Sequence, residues 1–162
     1  MEPKEFCLDL SVVLRRTPQA MAVVRGIETY PEIYGEVRFY QMEAGVLVAA
    51  EIEGLPVESA PCDNPVFGFH IHEGGKCSGN SEDMLADTDG HFNPNNCLHP
   101  YHAGDMPPLF GANGYAFTAF FSNRFKVSDV IGRTVVIHAK PDDFMTQPSG
   151  ASGEKIACGV ID

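Results

Sequence analysis

Residues 74 to 113 form a forty-residue stretch with no run that reads as a strand or a helix, and it contains six Gly and four Pro. A connection of that length is uncommon in a compact domain unless something other than a backbone ladder organises it. A metal ion or a disulfide can do so. A second stretch, 140 to 155, carries Pro141, Pro148, Gly150 and Gly153 and also lacks periodicity.

The segments around these loops have a period of two. Val37 and Phe39 alternate with Glu36, Arg38 and Tyr40, and Val46, Val48, Ala50 and Ile52 share one face. Tyr115, Phe117, Ala119 and Phe121 repeat the pattern, and Thr134, Val136 and His138 alternate with Val135, Ile137 and Ala139. Short alternating runs cut by Gly, Pro and Asn predict an all-β domain, a sandwich or barrel. Phe6, Leu10, Val13 and Leu14 instead follow helical spacing, and Thr17-Pro18 ends it. Residues 1–19 are therefore expected to form a short helical extension packed on the domain or on a partner, with residues 20–162 as the β domain.

Composition narrows the function classes. At 162 residues and 44% hydrophobic, the chain can bury one full core. Eleven basic against 22 acidic residues give a net charge of −11, which excludes nucleic acid and anionic membrane surfaces as partners. No apolar run approaches the about twenty residues of a membrane-spanning helix. The N-terminus lacks the basic region of a signal peptide. The expected compartment is cytoplasmic, or periplasmic or extracellular if a leader was removed.

The six histidines are unevenly placed: five fall between 70 and 102 and the sixth is His138. His70-Ile71-His72 reads as strand, where residues i and i+2 face the same way, so both rings can reach one ion. His91, His99, His102 and Asp105 offer three imidazoles and a carboxylate, a set suited to four-coordinate zinc. Such a site would pin the long loop by coupling metal binding to folding. Asp142 and Asp143 follow His138 closely, and a carboxylate there can fix a ligand tautomer. Five cysteines (Cys7, Cys62, Cys77, Cys97, Cys158) allow at most two intrachain pairs.

In order along the chain, Gly68-Phe69-His70-Ile71-His72-Glu73, His91-Phe92-Asn93-Pro94, His102-Ala103-Gly104-Asp105-Met106-Pro107, Gly132 to His138 and Ala157-Cys158-Gly159-Val160-Ile161 resemble the copper/zinc superoxide dismutases. The likeness is clear over 66–162, rests on strand pattern alone over 20–55, and is absent from 1–19. It implies a Greek-key β-sandwich or flattened barrel of about eight antiparallel strands with two long functional loops. It implies copper at His70, His72, His91 and His138, zinc at His91, His99, His102 and Asp105, and His91 shared between them. By the same likeness Asp142 is the carboxylate behind ligands of both metals, and Cys77–Cys158 is the intrachain disulfide. Lys155 stands where the family usually has an active-site arginine, so it keeps the charge without the two-pronged donor.

Two departures stand out. Only Pro100 and Tyr101 separate His99 from His102, a shortened zinc loop. Cys62 and Cys97 have no counterpart, and either a second disulfide or two free thiols is consistent with the sequence. The implied activity is dismutation of superoxide, with His91 as bridge and proton donor, Lys155 as the guiding cation, and Lys76, Lys140 and Arg133 as further candidates for a cationic rim. The family also admits a homodimer, with the N-terminal helix as a candidate contact. The competing readings are a non-catalytic copper- or zinc-binding module (a copper store or chaperone-like domain), a copper-only variant, and an interaction protein that presents the helix.

Overall fold

A computed structural model describes residues 9–60 and 65–162. The chain begins with α1 (Leu10–Leu14), then β1 (Ala20–Gly26), β2 (Tyr34–Met42) and β3 (Gly45–Glu53), an antiparallel meander. It continues through β4 (Val66–Phe67), β5 (Phe69–His72), β6 (Leu109–Phe110), β7 (Ala116–Ser122), α2 (Val127–Val130), β8 (Thr134–His138) and β9 (Lys155–Val160).

Seven strands pair in the order β5-β8-β9-β1-β2-β3-β7, and β4 pairs with β6. Only Gly68 separates β4 from β5, so the two act as one bent strand, and the described residues form about eight strands, as expected. Because β6 also packs beside β7, the β4–β6 pair draws the two edges of the large sheet together. The result is the flattened antiparallel architecture expected, in the form of a half-barrel.

The alternation seen in the sequence becomes an inside and an outside. Val37, Phe39, Val48, Ala50, Ile52, Phe69, Ile71, Val135 and Ile137 meet in one apolar core. The other face of β3 is buried too, because α1 lies on it: Val13, with Leu10 and Leu14, packs on Tyr40, Leu47 and Ala49. Asp9 caps this helix, its Oδ1 accepting from the N–H groups of Ser11 and Val12. The helix is five residues long, and the part of the expected helix before residue 9 lies outside the described residues. Its apolar side is seated on its own sheet.

All four residues of β5 and all five of β8 are buried. Phe69 and Ile71 point into the core, so His70 and His72 point to the opposite side, where both long loops cover them. That cover explains why strands carrying histidines can be buried on both faces.

Candidate metal centre

The strand β5 supplies His70 and His72, and the last residue of β8 supplies His138. The long loop is then laid along β5 by backbone bonds. Phe92 N–H donates to Ile71 O at 2.8 Å, Ile71 N–H to Gly104 O at 2.9 Å, and Gly104 N–H to Phe92 O at 2.9 Å. This weave sets His91 opposite His72 and Asp105 opposite His70. A Cβ on Gly104 would lie 2.2 Å from Ile71 O, so only glycine lets the loop come this close.

Five of the six rings have one nitrogen held by a protein partner and the other left for the cluster. His70 Nε2 pairs with Asp142 Oδ2 at 2.8 Å, His72 Nδ1 with the Asp89 carbonyl at 2.7 Å, and His138 Nδ1 with the Gly153 carbonyl at 3.3 Å. His91 Nδ1 lies 2.8 Å from Asp105 Oδ1, and His99 Nε2 lies 2.8 Å from Asp142 Oδ1. Such partners fix ring orientation and tautomer. Asp142 therefore ties a ring of one cluster to a ring of the other. The His99 peptide is itself clasped by Gln147, whose Oε1 accepts from its N–H at 2.9 Å and whose Nε2 donates to its carbonyl at 2.7 Å.

His70 Nδ1, His91 Nε2, His99 Nδ1 and His102 Nδ1 are buried without a hydrogen-bond partner. The last two lie 3.1 and 3.2 Å from Asp105 Oδ2, within ion-pair distance but off the hydrogen-bond direction. Buried polar atoms are rarely left unpaired, and four in adjoining positions fit a cation. His72 Nε2 and His138 Nε2 also face each other at 3.2 Å. Two donor sets result, His70, His72, His91 and His138, and His91, His99, His102 and Asp105, each with ligand atoms within 4.8 Å of one another. The first, all imidazole, suits Cu(II), and the second suits tetrahedral zinc. Residue His91 belongs to both.

Burial governs the electrostatics. It depresses His70 to about 4 despite Asp142, and His138 to about 3 with help from the His70 charge. His72 falls well below its ordinary value for the same reason, reinforced by His138. Burial pushes the Asp142 carboxyl up, but hydrogen bonds from His70, the Phe144 N–H and His99 outweigh it and hold the group below the usual carboxylate range. Asp105 behaves alike: burial raises it, and the bond from His91 and the nearby imidazoles lower it further. Without metal the His70, His72 and His138 rings are thus neutral and ready to ligate, with the Asp105 and Asp142 carboxylates ionised.

The cations read from the sequence divide. Lys155 pairs with His138 across the strand register, but its ammonium is bound to Asp83 Oδ2 at 2.7 Å and to the Leu85 carbonyl at 3.1 Å. Arg133 does not belong to a free rim. It bonds the Glu73 carboxylate and carbonyl and the Asp129 carbonyl, and lies over the Phe92 ring at 4.1 Å. Lys76 and Lys140 are exposed.

Cys77 and Cys158 form a disulfide that anchors the loop after β5 to β9. The Cys97 thiol is free, and Cys62 lies outside the described residues. Sequence reasoning missed Asp89, Gly153, Gln147, Asp83 and Gly150. Only the two glycines bore a readable mark, an invitation to positive φ (here +71° at Gly150 and +74° at Gly153), and a Cβ on Gly150 would sit 2.0 Å from Asp142 Oδ1.

Comparison with known proteins agrees with this geometry. A family model described as copper/zinc superoxide dismutase matches residues 33–161. A Cu-Zn superoxide dismutase of Legionella pneumophila is 34% identical over 139 residues, covering 81% of this chain and 79% of that protein. Superoxide dismutase [Cu-Zn] 2 of Aquifex aeolicus is 33% identical over 150 residues, covering 83% of this chain and 82% of that one. The solved structure of the Cu/Zn superoxide dismutase from Brucella abortus matches with a TM-score of 0.74 at 23% identity, covering 89% of this chain and all of that one. It shares the fold.

Proposed function

The chain belongs to the copper/zinc superoxide dismutase family, and we propose that it converts two superoxide anions and two protons to dioxygen and hydrogen peroxide. Copper would be held by His70, His72, His91 and His138, and zinc by His91, His99, His102 and Asp105. The observation that carries this reading is one ring, His91, common to two complete donor sets. Copper supplies, when bound, the one-electron redox change that zinc lacks.

The protein's own groups do the rest. His91 keeps Nδ1 toward Asp105, which leaves buried Nε2 as the atom that holds and hands over a proton. Asp142 keeps His70 and His99 from turning, so each presents Nδ1. The backbone carbonyls of Asp89 and Gly153 do the same for His72 and His138, which present Nε2. A net charge of −11 opposes the approach of a small anion, and a local cation beside His138 counters it. Lys155 is that cation, weakened by its bond to Asp83.

Both donor sets are complete, which favours catalysis over a metal store and favours two metals over copper alone. The test is superoxide loss measured on copper- and zinc-loaded protein beside its His91→Ala variant. Loss of activity with separation of the two metal affinities is expected. Full activity in the variant would remove His91 from the chemistry.

A further inference from the structure

His99 and His102 are joined by only Pro100 and Tyr101. This connection closes one turn of its own, the Tyr101 N–H donating to the Leu98 carbonyl at 2.8 Å, and side chains from outside hold its other carbonyls. On one side the Gln147 amide clasps the His99 peptide. On the other stands Arg124, whose Nη1 lies 3.0 Å from the Pro100 carbonyl, 3.2 Å from that of His102 and 3.4 Å from that of Asp105. One Nη carries two N–H bonds, so the three acceptors share two protons around a single charged nitrogen. Charge-assisted bonds of this kind are roughly twice as strong as neutral ones.

Two further observations make this a placed contact. Among the described residues no carboxylate lies within ion-pair distance of Arg124, so in this chain of excess acid its charge is committed to carbonyls. Its mounting is also fixed. The Arg124 N–H donates to Ser122 Oγ at 3.2 Å, and the next residue, Phe125, is buried edge-on to Phe39 with ring centroids 6.4 Å apart. His102 and Asp105 close a tight turn of their own, the His102 N–H donating to Asp105 Oδ2 at 3.0 Å. The guanidinium gathers the carbonyl side of that turn.

We infer that Arg124 is a positioning residue for the His91, His99, His102 and Asp105 set. Reaching in from the end of β7, it fixes the turn on which His102 and Asp105 ride. Without it Asp105 Oδ2 and the Nδ1 atoms of His99 and His102 lose their common focus. The inference rests on that set holding zinc, and the experiment separates the two claims.

Copper- and zinc-loaded wild type, Arg124→Lys and Arg124→Ala are titrated with a competing chelator, and the visible spectrum of cobalt(II) placed in the zinc position is recorded for each. Arg124 is exposed, so truncation leaves the core intact. The alanine variant should bind zinc about 10- to 100-fold more weakly, the range for groups that orient metal ligands, and its cobalt bands should lose tetrahedral intensity. The lysine variant should fall between, because one ammonium keeps the charge but not the guanidinium's reach. A lower melting temperature with zinc affinity and cobalt spectrum both unchanged would overturn the inference. A wild-type protein that takes up no zinc would overturn the metal reading itself, and this inference with it.

Discussion

Gly150→Ala tests the centre at its least obvious point. Gly150 has φ +71°, and a Cβ there would meet Asp142 Oδ1 at 2.0 Å, Asp142 Cγ at 2.6 Å and His99 Nε2 at 2.7 Å. An L-residue in that conformation costs about 1 kcal/mol before any contact. The carboxylate must also retreat by roughly 1.4 Å to reach ordinary van der Waals separation. That is enough to break both 2.8 Å bonds, to His70 and to His99. Each charged hydrogen bond contributes about 1.5 to 3 kcal/mol, and the loop recovers part of the loss by relaxing. The expected net destabilisation of the metal-free protein is about 2 to 4 kcal/mol. Both donor sets should lose affinity together, by about 10- to 100-fold, because Asp142 serves one ring in each. Denaturant melts give the first number, and chelator competition for copper and for zinc gives the second. Asp142→Asn is the companion variant: an amide can accept from one ring only and must offer an N–H to the other. Wild-type affinity for both metals in Gly150→Ala would refute the claim that Asp142 couples the clusters.

Other outcomes follow from the same contacts. The Cys77–Cys158 bond spans 81 residues, so Cys77→Ser with Cys158→Ser should lower the stability of the metal-free protein by about 4 kcal/mol in the loop-entropy model, read by denaturant melts. His70 and His138 are depressed in the folded state to about 4 and about 3 from 6.5. Below pH 6.5 the unfolded chain therefore binds protons that the folded chain does not. Stability of the metal-free protein should be full above about pH 7 and fall as pH drops through 6.5 toward 4, by up to about 1.4 kcal/mol per pH unit for each ring. A flat profile in equilibrium unfolding across that range would contradict their burial as neutral rings. Lys155→Ala should lower turnover and flatten its ionic-strength dependence, whereas Asp83→Asn, by releasing the ammonium, should steepen that dependence. Stopped-flow superoxide decay at several salt concentrations measures both.

The fold was legible where periodicity alone decides it. Alternation in 37–40, 46–52 and 134–138 marks strands, and it also puts His70 and His72 on one face. The loop histidines stood out because a forty-residue stretch needs an organiser and three imidazoles with a carboxylate can be one. What stayed hidden depends on contacts that residue type does not announce. The acceptors for His72 and His138 are the carbonyls of Asp89 and Gly153, and any residue has a carbonyl. The partner of Lys155 is Asp83, 72 positions earlier, among many acidic residues of equal standing. Arg133 looked like a free cation and is instead held between Glu73 and the Phe92 ring. The four-residue helix α2 (Val127–Val130) carries too few residues for a helical period to show.

The central claim is that one imidazole serves two ions. Crystals of the copper- and zinc-loaded protein, with anomalous maps recorded at both metal edges, test it most directly. Copper should lie on the Nε2 side of His91 with His70, His72 and His138, and zinc on its Nδ1 side with His99, His102 and Asp105. A map in which His91 touches one metal only, or in which copper lies away from these four rings, contradicts the account.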